Sequence, residues 1–188
     1  IVDQSCVGEL GKEKRAMVLC DVLNQTDGGA ANEYDVRLTN FTRVLEKDAV
    51  ALESAAEGDL AVENPIHIEQ LWFSGGYINM MIKYNAKIGS ETKHLVNLVY
   101  SKDDQGRYVL NLRHNAFGEV WTEENSSDMI IGSGYVSFPI TKIVKEDNAK
   151  LVFKWKWHKD VGSRFDYLFE KDYSFEFDWT RSGFEHKF

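Results

Sequence analysis

Hydrophobic and polar positions alternate with a period of two over much of this chain, most regularly between residues 71 and 116. Over residues 77–84, Ile78, Met80, Ile82 and Tyr84 fall on one face, and Tyr77, Asn79, Met81 and Lys83 on the other. This is the pattern of a strand with one buried and one mixed face. Gly75-Gly76 ahead of it points to a bulge, a tight bend or a close backbone approach, because glycine takes positive φ at little cost. Residues 94–100 and 108–114 flank the polar stretch SKDDQGR and read as a hairpin. Symmetric pairing about Asp104 sets Tyr100 against Tyr108, Leu98 against Leu110, Val96 against Leu112 and His94 against His114, all on one face. Asn97 and Asn111 then meet on the other face, beside Val99 with Val109 and Leu95 with Arg113. A slip of one residue would break this match, so the register is expected to be well specified.

The same alternation runs through the rest of the chain. Residues 1–13 form a polar, glycine-punctuated lead-in. RAMVLCDVL, residues 15–23, reads as a strand buried on both faces. Residues 34–41 alternate, with Tyr34, Val36 and Leu38 inward, and residues 42–52 are compatible with a short helix or with a strand and turn. The acidic stretch SAAEGDLAVENP ends at Pro65 and reads as the link between two parts. Residues 118–133 read as a long connection. Residues 135–140 read as a strand that lies at an edge or ends at Pro139. LVFKWKW places Leu151, Phe153, Trp155 and Trp157 on one face, and residues 167–169 and 173–179 suggest a final strand pair. Helical periodicity is not sustained anywhere, and many short strands at regular spacing predict an all-β sandwich or barrel.

Composition narrows the function classes. The 188 residues carry 22 Lys and Arg against 30 Asp and Glu, a net charge of −8. That balance opposes nucleic-acid or anionic-membrane binding through a general basic surface. No stretch is long and apolar enough for a membrane-spanning helix. Cys6 and Cys20 are the two cysteines. A bridge between them would add roughly 3 kcal/mol if unstrained, while Cys20 alone suits a small core position beside Ala16, Val18 and Val22. The sequons at Asn24, Asn40 and Asn125 are of the number expected by chance.

WFSGGYINMMIKY, KHLVNLVY, LNLRHNAFGE and GYVSFPI resemble the NigD-like family, cell-envelope lipoproteins of anaerobic Gram-negative bacteria. The resemblance covers roughly residues 66–179 and extends to residues 14–62 by order and length. It implies a small OB-like β-barrel in residues 1–64, with a flexible lead-in, followed by an antiparallel β-sandwich in residues 65–188. It also implies a cell-envelope location, outer-membrane-anchored, periplasmic or at the surface. The family name refers to a suggested link with bacteriocin production or immunity. Cys6 is not preceded by a lipobox, so the lipid-bearing cysteine is expected upstream of Ile1.

Five residues are candidates for a binding patch: His94, Arg113, His114, Asn115 and Trp121. Cross-strand histidines can hold a metal, with His67 as a conceivable third ligand, but structural zinc needs four ligands, so no metal and no cofactor is expected. The alternative is a hydrogen-bonded pair closing the strand ends. Arg113 and Asn115 could form a polar patch; equally, Arg113 could pair with an acid and Asn115 could cap a turn. Trp121 lies in an acidic loop, where an exposed aromatic can meet a sugar or a protein. Trp72, Trp155 and Trp179 suit the core. No G-x-S-x-G, H-E-x-x-H or P-loop occurs. The expectation is therefore a non-enzymatic binding or interaction protein whose partner is a protein or a glycan. The alternatives are a carbohydrate-active enzyme with a carboxylate pair, or a structural component of the envelope.

Overall fold

The computed structural model describes residues 14–25, 34–146, 149–158, 170–178 and 185–187, and the chain divides into two compact units, residues 1–46 and 47–188. Cys6, Trp179 and residues 167–169 lie outside the described residues, and with them the disulfide, one core tryptophan and half of the final strand pair named above.

In the first unit, β1 (Ala16–Gln25) and β2 (Tyr34–Glu46) pair antiparallel, with Asp21 opposite Arg37. These two side chains form an ion pair at 2.7 Å. The double-sided burial expected of β1 is not found: Val18, Leu19 and Val22 are 52%, 65% and 63% exposed. Within this unit the described residues supply one β neighbour for β1 and no second layer, and they form no closed barrel.

The second unit is a sandwich of two sheets. One has the order β8-β5-β4-β11, from β4 (His67–Ser74), β5 (Tyr77–Lys87), β8 (Met129–Pro139) and β11 (Glu185–Lys187), with antiparallel neighbours throughout. The other has the order β10-β9-β7-β6-β3, from β3 (Val50–Ala51), β6 (Leu95–Lys102), β7 (Tyr108–Asn115), β9 (Lys150–His158) and β10 (Glu170–Asp178). This sheet is mixed rather than purely antiparallel: β7 runs parallel to β9, and β3 parallel to β6. The cause is topological. Between β7 and β9 the chain crosses to the opposite sheet as β8 and returns, the crossover that parallel neighbours require. β10 pairs along its whole length with β9.

Alternate residues of each strand fill the space between the sheets. Ile68, Leu71 and Phe73 of β4, Ile78, Met80 and Ile82 of β5, and Val136 and Phe138 of β8 meet Val96 and Leu98 of β6, Leu110 and Leu112 of β7, and Leu151, Phe153 and Trp155 of β9. A register shift between Ile68 and Gln70 lets Ile68 and Leu71, three residues apart, both point inward. Because Leu71 and Phe73 take the inward positions, Trp72 points the other way, half-buried and edge-on to Tyr135 at 6.3 Å; the core position expected for it is not the one it occupies. Ser74 and Tyr77 close a two-residue hairpin over Gly75 and Gly76, whose φ values of +58° and +82° define a type I′ turn.

The β6–β7 hairpin differs from its expected register by two residues. Leu98 faces Leu112, Tyr100 faces Leu110, and Val96 faces His114. The turn explains the shift. The Asp103 carboxylate accepts from the backbone N–H groups of Gln105 and Arg107 and from Arg107 Nε. With Gly106 at φ +74°, this closes the loop at Lys102–Tyr108. A shift of two preserves the faces, which is why the core assignment holds while the partners change. Leu98, Leu110 and Leu112 are all buried. Replacing each with alanine is expected to cost about 2–5 kcal/mol, read as a lowered denaturant midpoint; an unchanged midpoint would contradict the packing.

Candidate functional site

Polar chemistry gathers where β7 ends. His114 points to the inner face at the margin of the core, and Arg113 and Asn115 point to the outer one, as strand alternation requires. His94 lies just ahead of β6, one diagonal step from His114 rather than directly opposite it. The rings nevertheless meet, with His94 Nδ1 3.0 Å from His114 Nε2. His114 Nδ1 donates to the Pro65 carbonyl at 3.0 Å, and His94 Nε2 lies 3.2 Å from Glu119 Oε2. Glu119 also accepts from the Lys87 backbone N–H at 2.9 Å and from the Ser90 hydroxyl. Ser90 in turn accepts from the Thr92 backbone N–H at 3.0 Å. Tyr84 covers the pair, its ring 4.8 Å from that of His94. It lies so close to β8 that a Cβ on Gly132 would sit 2.7 Å from the ring.

Donor counting assigns the charges. His114 donates from Nδ1, so in its neutral form Nε2 can only accept, and the hydrogen between the rings belongs to His94 Nδ1. Burial pushes the His114 pKa down to about 4, and the charge of His94 adds to the effect, outweighing the Pro65 and Asn64 carbonyls. Burial alone would raise Glu119, yet the Ser90 hydroxyl, the Lys87 N–H, Thr92 and His94 hold it down at about 2. An ionised carboxylate can only accept, so the contact with Glu119 is a donation from His94 Nε2. The arrangement is a neutral His114 and an ionised Glu119 bridged by His94, with the His94 and Glu119 side chains only 3% and 10% exposed.

The other candidates serve the outer face. Arg113 Nη1 donates to the carbonyls of Ala55 at 2.7 Å and Leu60 at 3.1 Å, and Nε lies 3.0 Å from Glu63. Asn115 donates to Asp59 at 3.1 Å and accepts from the Phe117 N–H at 2.9 Å. Together they clamp the two 3-10 turns, Leu52–Ala55 and Gly58–Ala61, over β6 and β7, burying Ala55 and Val99. Arg113 thus pairs with an acid and Asn115 caps a turn, so neither forms an open polar patch. Trp121 is half-buried in the loop after β7. His67 sits elsewhere, accepting from Trp157 Nε1 at 3.2 Å. Among the described residues no group of three His, Cys, Asp or Glu side chains is placed to hold a metal.

Sequence reasoning missed Glu119, Ser90 and Tyr84. The signal for Glu119 was the run Ala116-Phe117-Gly118: a tight turn there folds Glu119 back, its N–H donating to the Ala116 carbonyl at 2.9 Å.

The fold and this closed polar end define an all-β sandwich protein whose inner layer is apolar. The NigD-like C-terminal beta sandwich domain matches residues 49–170, and the chain belongs to the NigD-like family. A protein of unknown function from Bacteroides vulgatus shares the fold with a TM-score of 0.60 at 17% identity, over 89% of this chain and 72% of that one. A NigD-like immunity protein from Bacteroides caccae does so with a TM-score of 0.58 at 16% identity, over 87% and 76%. No curated protein sequence matches.

The depressed His114 pKa has a definite sign. Folded His114 resists the proton that the unfolded chain takes up, so its contribution is complete above pH 6.5 and is lost as pH falls toward about 4. The expected loss is on the order of 3 kcal/mol. Glu119 extends the loss, from its ordinary value of 4.5 down toward about 2. Denaturant midpoints measured from pH 7.5 to 4 should fall steeply for the wild type and less for His114→Gln. Equal slopes would contradict a buried, neutral His114.

Proposed function

We propose that the protein is a non-enzymatic binding or interaction protein of the cell envelope. The observation that carries this reading is the state of Glu119. A carboxyl that works as a general acid in glycoside hydrolysis needs a raised pKa and a second carboxyl about 5–10 Å away. Glu119 is instead held ionised at about 2 and faces one histidine, His94, a backbone N–H and a hydroxyl. Its bonds tie the β5–β6 loop to the loop after β7, which is the work of a scaffold. The envelope location, through a lipid anchor upstream of Ile1, is part of the same proposal and rests on membership of the NigD-like family. The test is incubation with an envelope glycan panel, scoring retention and released reducing ends separately, alongside a pull-down from native envelopes. Retention of a glycan or a protein without turnover is expected. Glycan cleavage would overturn the reading, and its survival in Glu119→Gln would place the catalytic pair elsewhere.

A further inference from the structure

The loops that Glu119 ties together present apolar side chains to solvent. Ile88, Phe117 and Ile130 are 55%, 47% and 50% exposed. They sit on three segments joined by short bonds. Lys87 donates to Glu119 at 2.9 Å, the Ile88 N–H donates to the Asp128 carbonyl at 2.7 Å, and Ala86 pairs with Ile130 across β5 and β8. Single exposed apolar residues are ordinary, but a group on one rigid end of a domain marks a contact surface. Phe117 sharpens the point. It lies at φ +49° beside Gly118 at φ +87°, the two central positions of a type I′ turn closed by the Glu119 N–H on Ala116. Glycine or asparagine suits that conformation, whereas phenylalanine is disfavoured there. A large aromatic is thus kept where both the backbone and the solvent oppose it.

The charges around it have one dominant sign. Residues 117–128 contain exposed Glu123, Glu124 and Asp128 and no lysine or arginine, while Glu119 is turned inward by its own bonds. Glu91 adds to them from the facing loop, whose basic residues are Lys87 and Lys93. We propose that this end of the second unit is a docking surface for a protein partner that offers an apolar pocket bordered by lysine or arginine. Phe117 is the anchor, Ile88 and Ile130 flank it, and the acidic rim steers the encounter. The inference rests on reading the protein as a binding protein and names the partner of that reading.

The probe is a random-peptide phage library panned on the whole immobilised protein, with the enriched peptides synthesised and their Kd measured. Phe117→Gly suits the positive φ, so the variant should fold at least as stably as the wild type, and its denaturant midpoint checks this. The expected result is enrichment of peptides that combine lysine or arginine with aromatic or aliphatic residues. Their affinity should fall by about tenfold or more in Phe117→Gly and in Ile88→Ser, as hot-spot removal does. It should also weaken with salt and in the double variant Glu123→Lys with Glu124→Lys. Absence of enrichment, peptides without basic residues, or equal binding to Phe117→Gly would overturn the proposal. Glycan binding that Phe117→Gly abolishes would overturn the protein-partner assignment while leaving the binding reading intact. Glycan turnover would overturn that broader reading instead.

Discussion

The second unit depends on the burial of two facing sets of apolar side chains, one from each sheet. Trp155, Phe138 and Phe153 are among the largest side chains buried there, with Leu, Ile and Met filling between them. Facing sheets lie about 10 Å apart and leave no room for a polar side chain without a partner. The constraint reaches well beyond the core. It drives Trp72 outward, bends β4 at the register shift so that Ile68 and Leu71 both reach the interior, and confines ionisable groups to the outer faces and the ends.

The C-terminal end of β7 shows how that confinement is used. Three successive residues, Arg113, His114 and Asn115, are distributed by strand alternation to opposite sides. The two on the outer face hold the segment from residue 55 to 63 by its carbonyls and carboxylates. The one on the inner face holds Pro65 by its carbonyl and, through His94, holds Glu119. One short strand end thereby fixes the chain that enters β4, the loop before β6 and the loop after β7. Each member of the inner chain has a hydrogen-bonding partner at both ends, the condition under which a buried polar network rigidifies a fold instead of weakening it.

Much of this was legible in the sequence, and what was not has identifiable causes. Period-two alternation gave the faces of β5, β6, β7 and β9, because a strand side chain has only two directions to choose between. It could not give the β6–β7 register, since a shift of two leaves every face unchanged; the decision lay with the Asp103 carboxylate capping the turn. β1 reads as apolar on both sides, yet its burial depends on what is placed over it, which composition does not encode. The candidate histidines do meet, and the bland readings of Arg113 and Asn115 fit their bonds better than an open patch does. Glu119 escaped notice because a carboxylate in an acidic loop carries no periodic signal, and its role arises from a turn that puts phenylalanine in the left-handed region.

The chemistry of Glu119 explains why a carboxylate occupies that position. Its neighbours, the Lys87 N–H, the Ser90 hydroxyl and the His94 Nε2–H, are all donors, and they converge on its two oxygens. An amide of the same length would accept on one atom and present N–H groups on the other, setting donor against donor. His94 bridges the ionised carboxylate and the neutral His114, one ring nitrogen toward each. The three groups therefore hold one arrangement of protons, and that arrangement fixes the geometry of the loops. Rigid placement of the turn that carries Phe117 follows from it, so the electrostatics buried at the end of the sandwich and the apolar side chains displayed above it are two consequences of one network.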